Sequence, residues 1–160
     1  MEVFEAYIEE SVLSKALEHS KAAAQKGREA MGLLAGQVCQ WSGEKYILVE
    51  DYLTAGNSAT SVSVRFSQDA FPQLAQQVNA ARKKGKIIVG WCHSHPSYGC
   101  FLSGTDLSTQ RKYFSEEFSV AMVVDPVRRE KKVFKLGQGA SGYREAGYAV
   151  IRQRTPSAKQ

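Results

Sequence analysis

The chain has 160 residues, of which 43% are hydrophobic and 23% charged, and its formal net charge is +5. These values are typical of a globular protein with a single core. No apolar run approaches the roughly 20 residues that a membrane-spanning helix needs, so we expect no membrane partner. The acidic N-terminus, MEVFEAYIEE, shows no signal-peptide pattern, and we therefore expect a cytoplasmic protein.

The hydrophobic pattern predicts helices and strands in alternation over most of the chain. Predicted helices cover 8–26, about 67–84 with Ser67 as the N-cap, and about 105–113. Predicted strands form a hairpin over 31–53, a short strand at 62–66, a central strand at 86–93 and a second hairpin over 118–136. This order indicates an α/β fold in one domain, with a mixed β-sheet flanked by helices.

Cysteines and basic clusters carry weaker signals. The three cysteines, Cys39, Cys92 and Cys100, do not indicate a disulfide framework in a chain without a signal peptide. The basic clusters at 81–86 and 127–132 fit a solvated helix end and a charged hairpin turn, or a patch for an acidic partner. Neither cluster interleaves aromatic residues as a stacking platform for nucleic acid does, so we expect no nucleic-acid partner.

The strongest functional signal is the run WCHSHPSYGCFLSGTD at 91–106. His93 and His95 are two residues apart at the end of a predicted strand, where side chains two apart share a face. Asp106 follows at the start of the next helix, after a loop long enough to bring its carboxylate to both imidazoles. Two histidines and a carboxylate form a three-ligand zinc site with one position open for water. The same ligand set also binds Fe(II).

The same residues have a structural alternative. Ser103 and Asp106 form the S-x-x-D pattern of a capping box at a helix start, and an H-x-H pair also occurs in cores and on surfaces. The coincidence of both patterns at one strand–loop–helix junction favours a metal site. A hydrolase also needs a general base, and spacing alone does not choose among the 16 carboxylates of the chain.

The run resembles the signature of the JAMM (MPN+) metalloproteases, which is H-x-H-P, a Ser seven residues after the Pro and an Asp three residues after the Ser. Residues 28–36, REAMGLLAG, resemble the Glu-x-Met-Gly segment of the same family. The motif is especially similar to that of the deubiquitinase subunit of the proteasome lid, which suggests an archaeal counterpart. The resemblance implies an MPN-type catalytic domain at 1–137. The Gly, Ser, Arg and Gln content of residues 138–160 predicts a C-terminal tail that is partly ordered at most.

The resemblance also implies a role for each motif residue. The implied Zn²⁺ ligands are His93, His95 and Asp106. Glu29 is the implied general acid and base, and Ser103 the implied stabiliser of the oxyanion. The implied activity is that of a zinc isopeptidase, which removes ubiquitin or a ubiquitin-like modifier from lysine. Its implied partners are modifier conjugates and the proteasome.

Two other functions stay open at this point. One is a JAMM hydrolase that acts on a sulfur-carrier conjugate or a small amide, and the other is a non-catalytic MPN scaffold. The intact set of five motif residues argues against a scaffold. Without the resemblance, Glu29 would be interpreted as a solvated carboxylate at a helix–strand junction, and Cys100 as a packing residue or a neighbour of the site.

The β-prone segment Asn57–Val64 is predicted to pair with the extended tail of a modifier by strand addition. This prediction depends on strand propensity and on analogy with the family. The candidate substrate-binding residues are Asn57, Ser61, Val62, Ser63, Val64 and Cys100.

Overall fold

The computed structural model describes residues 3–54 and 71–152. In these ranges, three helices accompany one mixed eight-stranded sheet, which confirms the predicted α/β fold class. The helices are α1 (Glu10–Gln25), α2 (Phe71–Lys83) and α3 (Gly104–Tyr113). The strands are β1 (Ala6–Glu9), β2 (Met31–Trp41), β3 (Glu44–Leu53), β4 (Ile87–Ser94), β5 (Val120–Asp125), β6 (Glu130–Leu136), β7 (Tyr143–Ala146) and β8 (Tyr148–Ile151).

The sheet has the strand order β7-β6-β5-β4-β2-β3-β1-β8. At its centre β4 pairs in parallel with β5 and antiparallel with β2. All six residues of β5 are buried, as expected for a strand covered on both faces. Val120 and Met122 pack in the cluster that contains α1, whereas Ala121 and Val123 pack with Trp91 on the other face.

The observed elements differ from the predicted ones at several boundaries. Helix α1 begins at Glu10 rather than at residue 8, because residues 6–9 form β1, which pairs in parallel with β3 and β8. No helix in the described part of the chain is long and apolar enough to cross a membrane. Several predicted features lie outside the described residues, namely the strand at 62–66, the Ser67 cap and the candidate substrate-binding residues Asn57, Ser61, Val62, Ser63 and Val64.

Two short strands near the C-terminus connect the two ends of the sheet. Strand β7 pairs with β6 and β8 pairs with β1, yet only Gly147 separates them in sequence. The Gly147 carbonyl accepts hydrogen bonds from the backbone N–H groups of Glu5 and Ala6, at 3.1 and 3.3 Å. Residues 143–151, the clasp, therefore bring the two ends of the strand order together. Sequence patterning did not predict either strand.

We expect the clasp to be held by burial and backbone pairing rather than by charge. Ala146 is buried opposite Val133 of β6, whereas the ion pair between Arg144 and Glu5 is exposed. Ala146→Asp should destabilise the protein by about 3 kcal/mol, because it buries an unpaired carboxylate. Arg144→Ala should cost less than about 1 kcal/mol. Urea unfolding compares the two variants, and equal losses would contradict this assignment.

Candidate active site

The predicted site residues meet at one edge of the sheet. Because β4 and β5 are parallel, their carboxyl ends lie at the same edge, and the antiparallel β2 begins there with Met31 opposite His93. Glu29 lies two residues before the start of β2, and Asp106 lies in the first turn of α3. The fold thus gathers residues from three segments of the chain.

Three ligand atoms form a triangle at this edge. His93 Nε2, His95 Nε2 and Asp106 Oδ2 lie 3.1 Å from one another, and all three residues are buried. Among the described residues, they form the group of His, Cys, Asp and Glu side chains close enough together to hold a metal ion. A tetrahedral zinc with bonds of roughly 2.0–2.1 Å has ligand–ligand separations of about 3.3 Å. The observed spacing fits such an ion.

The hydrogen-bonding pattern of His95 also fits a cation. Its Nδ1 lies 3.1 Å from the Gly99 carbonyl oxygen, which only accepts, so Nδ1 carries a hydrogen. In the neutral ring, Nε2 then directs a lone pair at the Asp106 carboxylate, which also offers lone pairs. Burial disfavours a charge on His95, but the contact with Asp106 outweighs it and raises the imidazole pKa. A proton or a metal ion between the two groups relieves the repulsion.

His93 is oriented by aromatic packing. Its ring stacks on Trp91 with centroids 4.3 Å apart, and Trp91 stacks in turn on Phe114. The indole N–H of Trp91 donates to Gln110 Oε1. His93 Nδ1 is buried and has no hydrogen-bond partner within the described residues. Burial lowers the pKa of His93, which favours the neutral ring that a metal ligand requires.

The position of Asp106 fits both roles that its sequence pattern suggested, helix capping and metal binding. Its Oδ2 accepts from the Ser103 N–H at 2.9 Å, and its own N–H donates to Ser103 Oγ at 3.1 Å, which completes a capping box. The same Oδ2 faces both imidazoles. Burial raises the pKa of Asp106, but its contacts with His93 and His95 outweigh burial and keep the pKa well below its ordinary value. The capping bond uses a lone pair of Ser103 Oγ, so the hydroxyl hydrogen remains a donor.

Glu29 has the burial and the pKa expected of a general base. It is only 6% exposed. Burial raises its pKa to about 7, with His95 opposing and Asp106 assisting the shift. A carboxyl group with a pKa near neutrality both takes up and releases protons at physiological pH. This arrangement is suited to hydrolysis by an activated water.

Comparison with known proteins identifies the family. The profile described as "JAB1/Mov34/MPN/PAD-1 ubiquitin protease" matches residues 2–117. The chain belongs to this family. The matched range contains all five residues of the JAMM motif, so the resemblance seen in the sequence is confirmed at the level of the family.

Named relatives of this MPN domain include subunits of two complexes. The "26S proteasome regulatory subunit RPN11" of Eremothecium gossypii is 36% identical over 126 residues, which cover 78% of the chain and 39% of that protein. The "Ubiquitin carboxyl-terminal hydrolase RPN11" of Saccharomyces cerevisiae is 33% identical over 126 residues, with 78% and 40% covered. The "COP9 signalosome complex subunit 5" of Drosophila melanogaster is 39% identical over 104 residues, with 62% and 30% covered. The chain therefore spans less than half the length of these relatives.

A solved structure supports the fold alone. The solution structure of protein DSY2949 from Desulfitobacterium hafniense superimposes with a TM-score of 0.67 at 23% identity. The match covers 92% of this chain and 94% of that chain.

Two further residues of the MPN domain pack against side chains of the site. The Phe101 ring, which the sequence did not single out, contacts His95 with centroids 4.9 Å apart and is exposed. Cys100, a candidate substrate-binding residue, packs beside the Trp91 cluster, and its Sγ donates to the Val123 carbonyl at 3.3 Å. Burial raises the pKa of the Cys100 thiol, so it is not a nucleophile poised for reaction.

Ser94 links the Glu29 segment to the strand end that carries His93 and His95, a contact that the sequence did not reveal. The side chain is fully buried, and its Oγ accepts from the Ala30 N–H at 2.7 Å. The Ser94 N–H donates to the Ala30 carbonyl at 3.0 Å. Because Ala30 follows Glu29, these two bonds hold the segment that carries Glu29 against the strand end that carries His93 and His95.

We expect Ser94→Ala to slow turnover about 10-fold or more while metal binding is retained. The change leaves the buried Ala30 N–H unsatisfied, which costs about 1–3 kcal/mol, and small displacements of a reacting group are costly to rate. Ser20→Ala is the matched control, since buried Ser20 bonds to Ala16 within α1. Single-turnover rates at equal zinc occupancy decide the matter, and equal rates in the two variants would leave Ser94 a purely structural role.

Proposed function

We propose that this MPN domain is a zinc-dependent isopeptidase that removes ubiquitin or a ubiquitin-like modifier from lysine side chains. The observation that carries the proposal is the buried triangle of His93, His95 and Asp106 beside Glu29, whose pKa is about 7. Burying the Asp106 carboxylate against a His95 nitrogen that directs a lone pair at it destabilises a fold unless a cation compensates. A scaffold gains nothing from such an arrangement.

The names of the relatives support a modifier conjugate as the substrate. One relative is named as a ubiquitin hydrolase and others as subunits of the proteasome and the COP9 signalosome. Ubiquitin-type conjugates and the proteasome are therefore the proposed partners. The cytoplasmic location stays a prediction from the sequence.

The proposed chemistry divides among five residues. His93, His95 and Asp106 would hold Zn²⁺, which when bound acts as a Lewis acid and lowers the pKa of a water to about 7. Glu29 takes a proton from the attacking water and delivers it to the departing lysine amine.

Ser103 is proposed to stabilise the charge that develops on the scissile carbonyl oxygen. Its Oγ is held by the Asp106 N–H, which leaves the hydroxyl hydrogen to donate. Loss of one such donor costs about 3–4 kcal/mol of barrier in other enzymes. The capping box at the start of α3 thus orients a donor as well as a ligand.

The proposal is tested by a cleavage panel with zinc-loaded protein. The panel contains a ubiquitin–lysine isopeptide conjugate, the same conjugate with Ala-Ala in place of the terminal Gly-Gly, a sulfur-carrier conjugate and a small amide. We expect hydrolysis of the first and much slower hydrolysis of the second, because glycine lacks the Cβ that would obstruct a narrow site. Mass spectrometry detects the new carboxyl terminus and the free lysine.

The outcomes of the panel separate the candidate functions. A chelator should abolish cleavage, and added zinc should restore it. Cleavage of the sulfur-carrier conjugate or the small amide alone would overturn the assigned substrate. Failure to bind zinc together with failure to cleave any substrate would make the chain a scaffold.

A further inference from the structure

We infer that Asp125 is a positioning residue for His95: it holds the loop at 96–99, whose Gly99 carbonyl orients the His95 imidazole. The inference deepens the proposed function and rests on it, because it assigns His95 as a metal ligand. Asp125 lies outside the JAMM motif and outside the residues matched to the family profile.

Asp125 is a fully buried carboxylate that accepts four backbone hydrogen bonds. It ends β5 and is 0% exposed. Its Oδ1 accepts from the N–H groups of Ser97, Val127 and Arg128, each at 3.0 Å. Its Oδ2 accepts from the Gly99 N–H at 2.8 Å. One side chain thereby connects two loops that are distant in sequence.

Local turn geometry explains only half of these bonds. Asp side chains commonly bond to backbone N–H groups two and three residues onward, and so close a turn. The bonds to Val127 and Arg128 are of this type. The bonds to Ser97 and Gly99 reach back 28 and 26 residues and serve no turn of β5–β6. They need a different explanation.

That explanation lies in the conformation of the loop at 96–99. Ser97 and Gly99 have φ values of +69° and +81°, both in the left-handed region. Such a conformation is unfavourable for a residue with a side chain and persists only when its surroundings hold it. Asp125 binds the N–H groups of both left-handed residues. It therefore supplies the constraint that the loop requires.

The loop in turn orients a metal ligand. The N–H of Gly99 is anchored to Asp125, and its carbonyl oxygen lies 3.1 Å from His95 Nδ1. This contact keeps the hydrogen on Nδ1 and leaves Nε2 as the ligand atom. Partners of this kind fix the tautomer and direction of metal-binding histidines, and their loss typically costs about 10–100-fold in metal affinity. Asp125 acts on His95 indirectly, through Gly99.

The variant Asp125→Asn tests the inference selectively. In one orientation of the asparagine amide, its oxygen takes the place of Oδ1 and accepts from the same three N–H groups. Its nitrogen then takes the place of Oδ2 and faces the Gly99 N–H, so two donors oppose each other and this bond is lost. The opposite orientation loses three bonds, so the first is preferred. The variant thus releases the Gly99 anchor and keeps the bonds from Ser97, Val127 and Arg128. Asp51→Asn is the matched control, because it neutralises a carboxylate that pairs with Lys86.

Two measurements are made on the full chain. Competition with a chromophoric chelator gives the zinc affinity, which should fall about 10-fold in Asp125→Asn and stay unchanged in Asp51→Asn. Nitrogen-15 chemical shifts of the His95 ring in zinc-free protein give the tautomer. We expect Nδ1–H in the wild type and a mixture of tautomers in Asp125→Asn.

Each outcome decides the inference. Wild-type zinc affinity and wild-type tautomer in Asp125→Asn would overturn it and leave Asp125 as a support of the turn. If that variant does not fold, Gly99→Ala displaces the same carbonyl, because its φ of +81° is strained for alanine, and the two measurements apply unchanged. If the wild type itself binds no zinc, the proposed function fails, whereas the tautomer still reports on the positioning.

Discussion

Replacement of Glu29 by Gln is expected to lower the single-turnover rate at least about 100-fold and to stabilise the metal-free protein above pH 7. General acid–base catalysis typically contributes about 10²–10⁴-fold to rate. The amide has nearly the shape of the carboxyl group but does not accept a proton at neutral pH. Folding and zinc binding should therefore be retained while turnover is lost.

The gain in stability follows from the pKa of Glu29. Burial raises this pKa from 4.5 to about 7, so the folded state holds the proton more tightly than the unfolded chain. The contribution of the protonated Glu29 carboxyl group to the free energy of unfolding is fully present below pH 4.5. It is lost as the pH rises through 7. The shift corresponds to about 3 kcal/mol. The glutamine side chain of the variant carries no charge at any pH and avoids this loss.

The two effects of Glu29→Gln have separate measurements. Urea unfolding of zinc-free wild type and variant at pH 5 and pH 8 should show a gain at the higher pH only. Single-turnover cleavage is compared at matched zinc occupancy. Glu18→Gln on the exposed side of α1 is the control and should change neither quantity. A rate within a few-fold of wild type would exclude Glu29 as the general base.

The parts of the site that were predictable from the sequence are those encoded over short distances. His93 and His95 share a face because strand side chains alternate, and the loop to Asp106 is short enough to be interpreted directly. The same alternation places Trp91 on the face of β4 that carries His93. Apolar runs predicted β4 and both hairpins, because buried strands have a strong local signal.

The parts that escaped prediction depend on contacts between distant residues. Ser94 forms a hydrogen bond with Ala30, which lies 64 positions earlier in the chain. Asp125 is followed by a proline, and this sequence context is typical of an ordinary turn residue. Nothing local distinguished the burial of Glu29 from that of other carboxylates, and only the family resemblance selected it.

The missed strands β1, β7 and β8 have only four residues each. A segment of this length shows too few alternations for a pattern to be recognised, and pairing with remote strands stabilises it. In β1, Ile8 also fits the apolar spacing of the helix that follows. For this reason the predicted helix included the last two residues of β1.

Replacement of Asp106 is expected to weaken zinc binding at least about 100-fold. Loss of a residue that only hydrogen-bonds to a metal ligand already lowers metal affinity about 10–100-fold. Asp106→Ala removes both the ligand and the acceptor of the Ser103 N–H. Asp106→Asn removes the charge but keeps an oxygen that accepts from Ser103. The two variants thus separate the two roles of one side chain.

Both variants should lose zinc, and only Asp106→Ala should also lose the half of the capping box in which the Ser103 N–H donates to Asp106 Oδ2. Loss of this one hydrogen bond should make Asp106→Ala about 1 kcal/mol less stable than Asp106→Asn in urea unfolding. In both, the pKa of His95 should fall, because the carboxylate that raises it is gone. Zinc content after gel filtration and chelator competition measure the metal, with Asp51→Asn as the control. One zinc per chain in either variant would leave Asp106 as a helix cap alone.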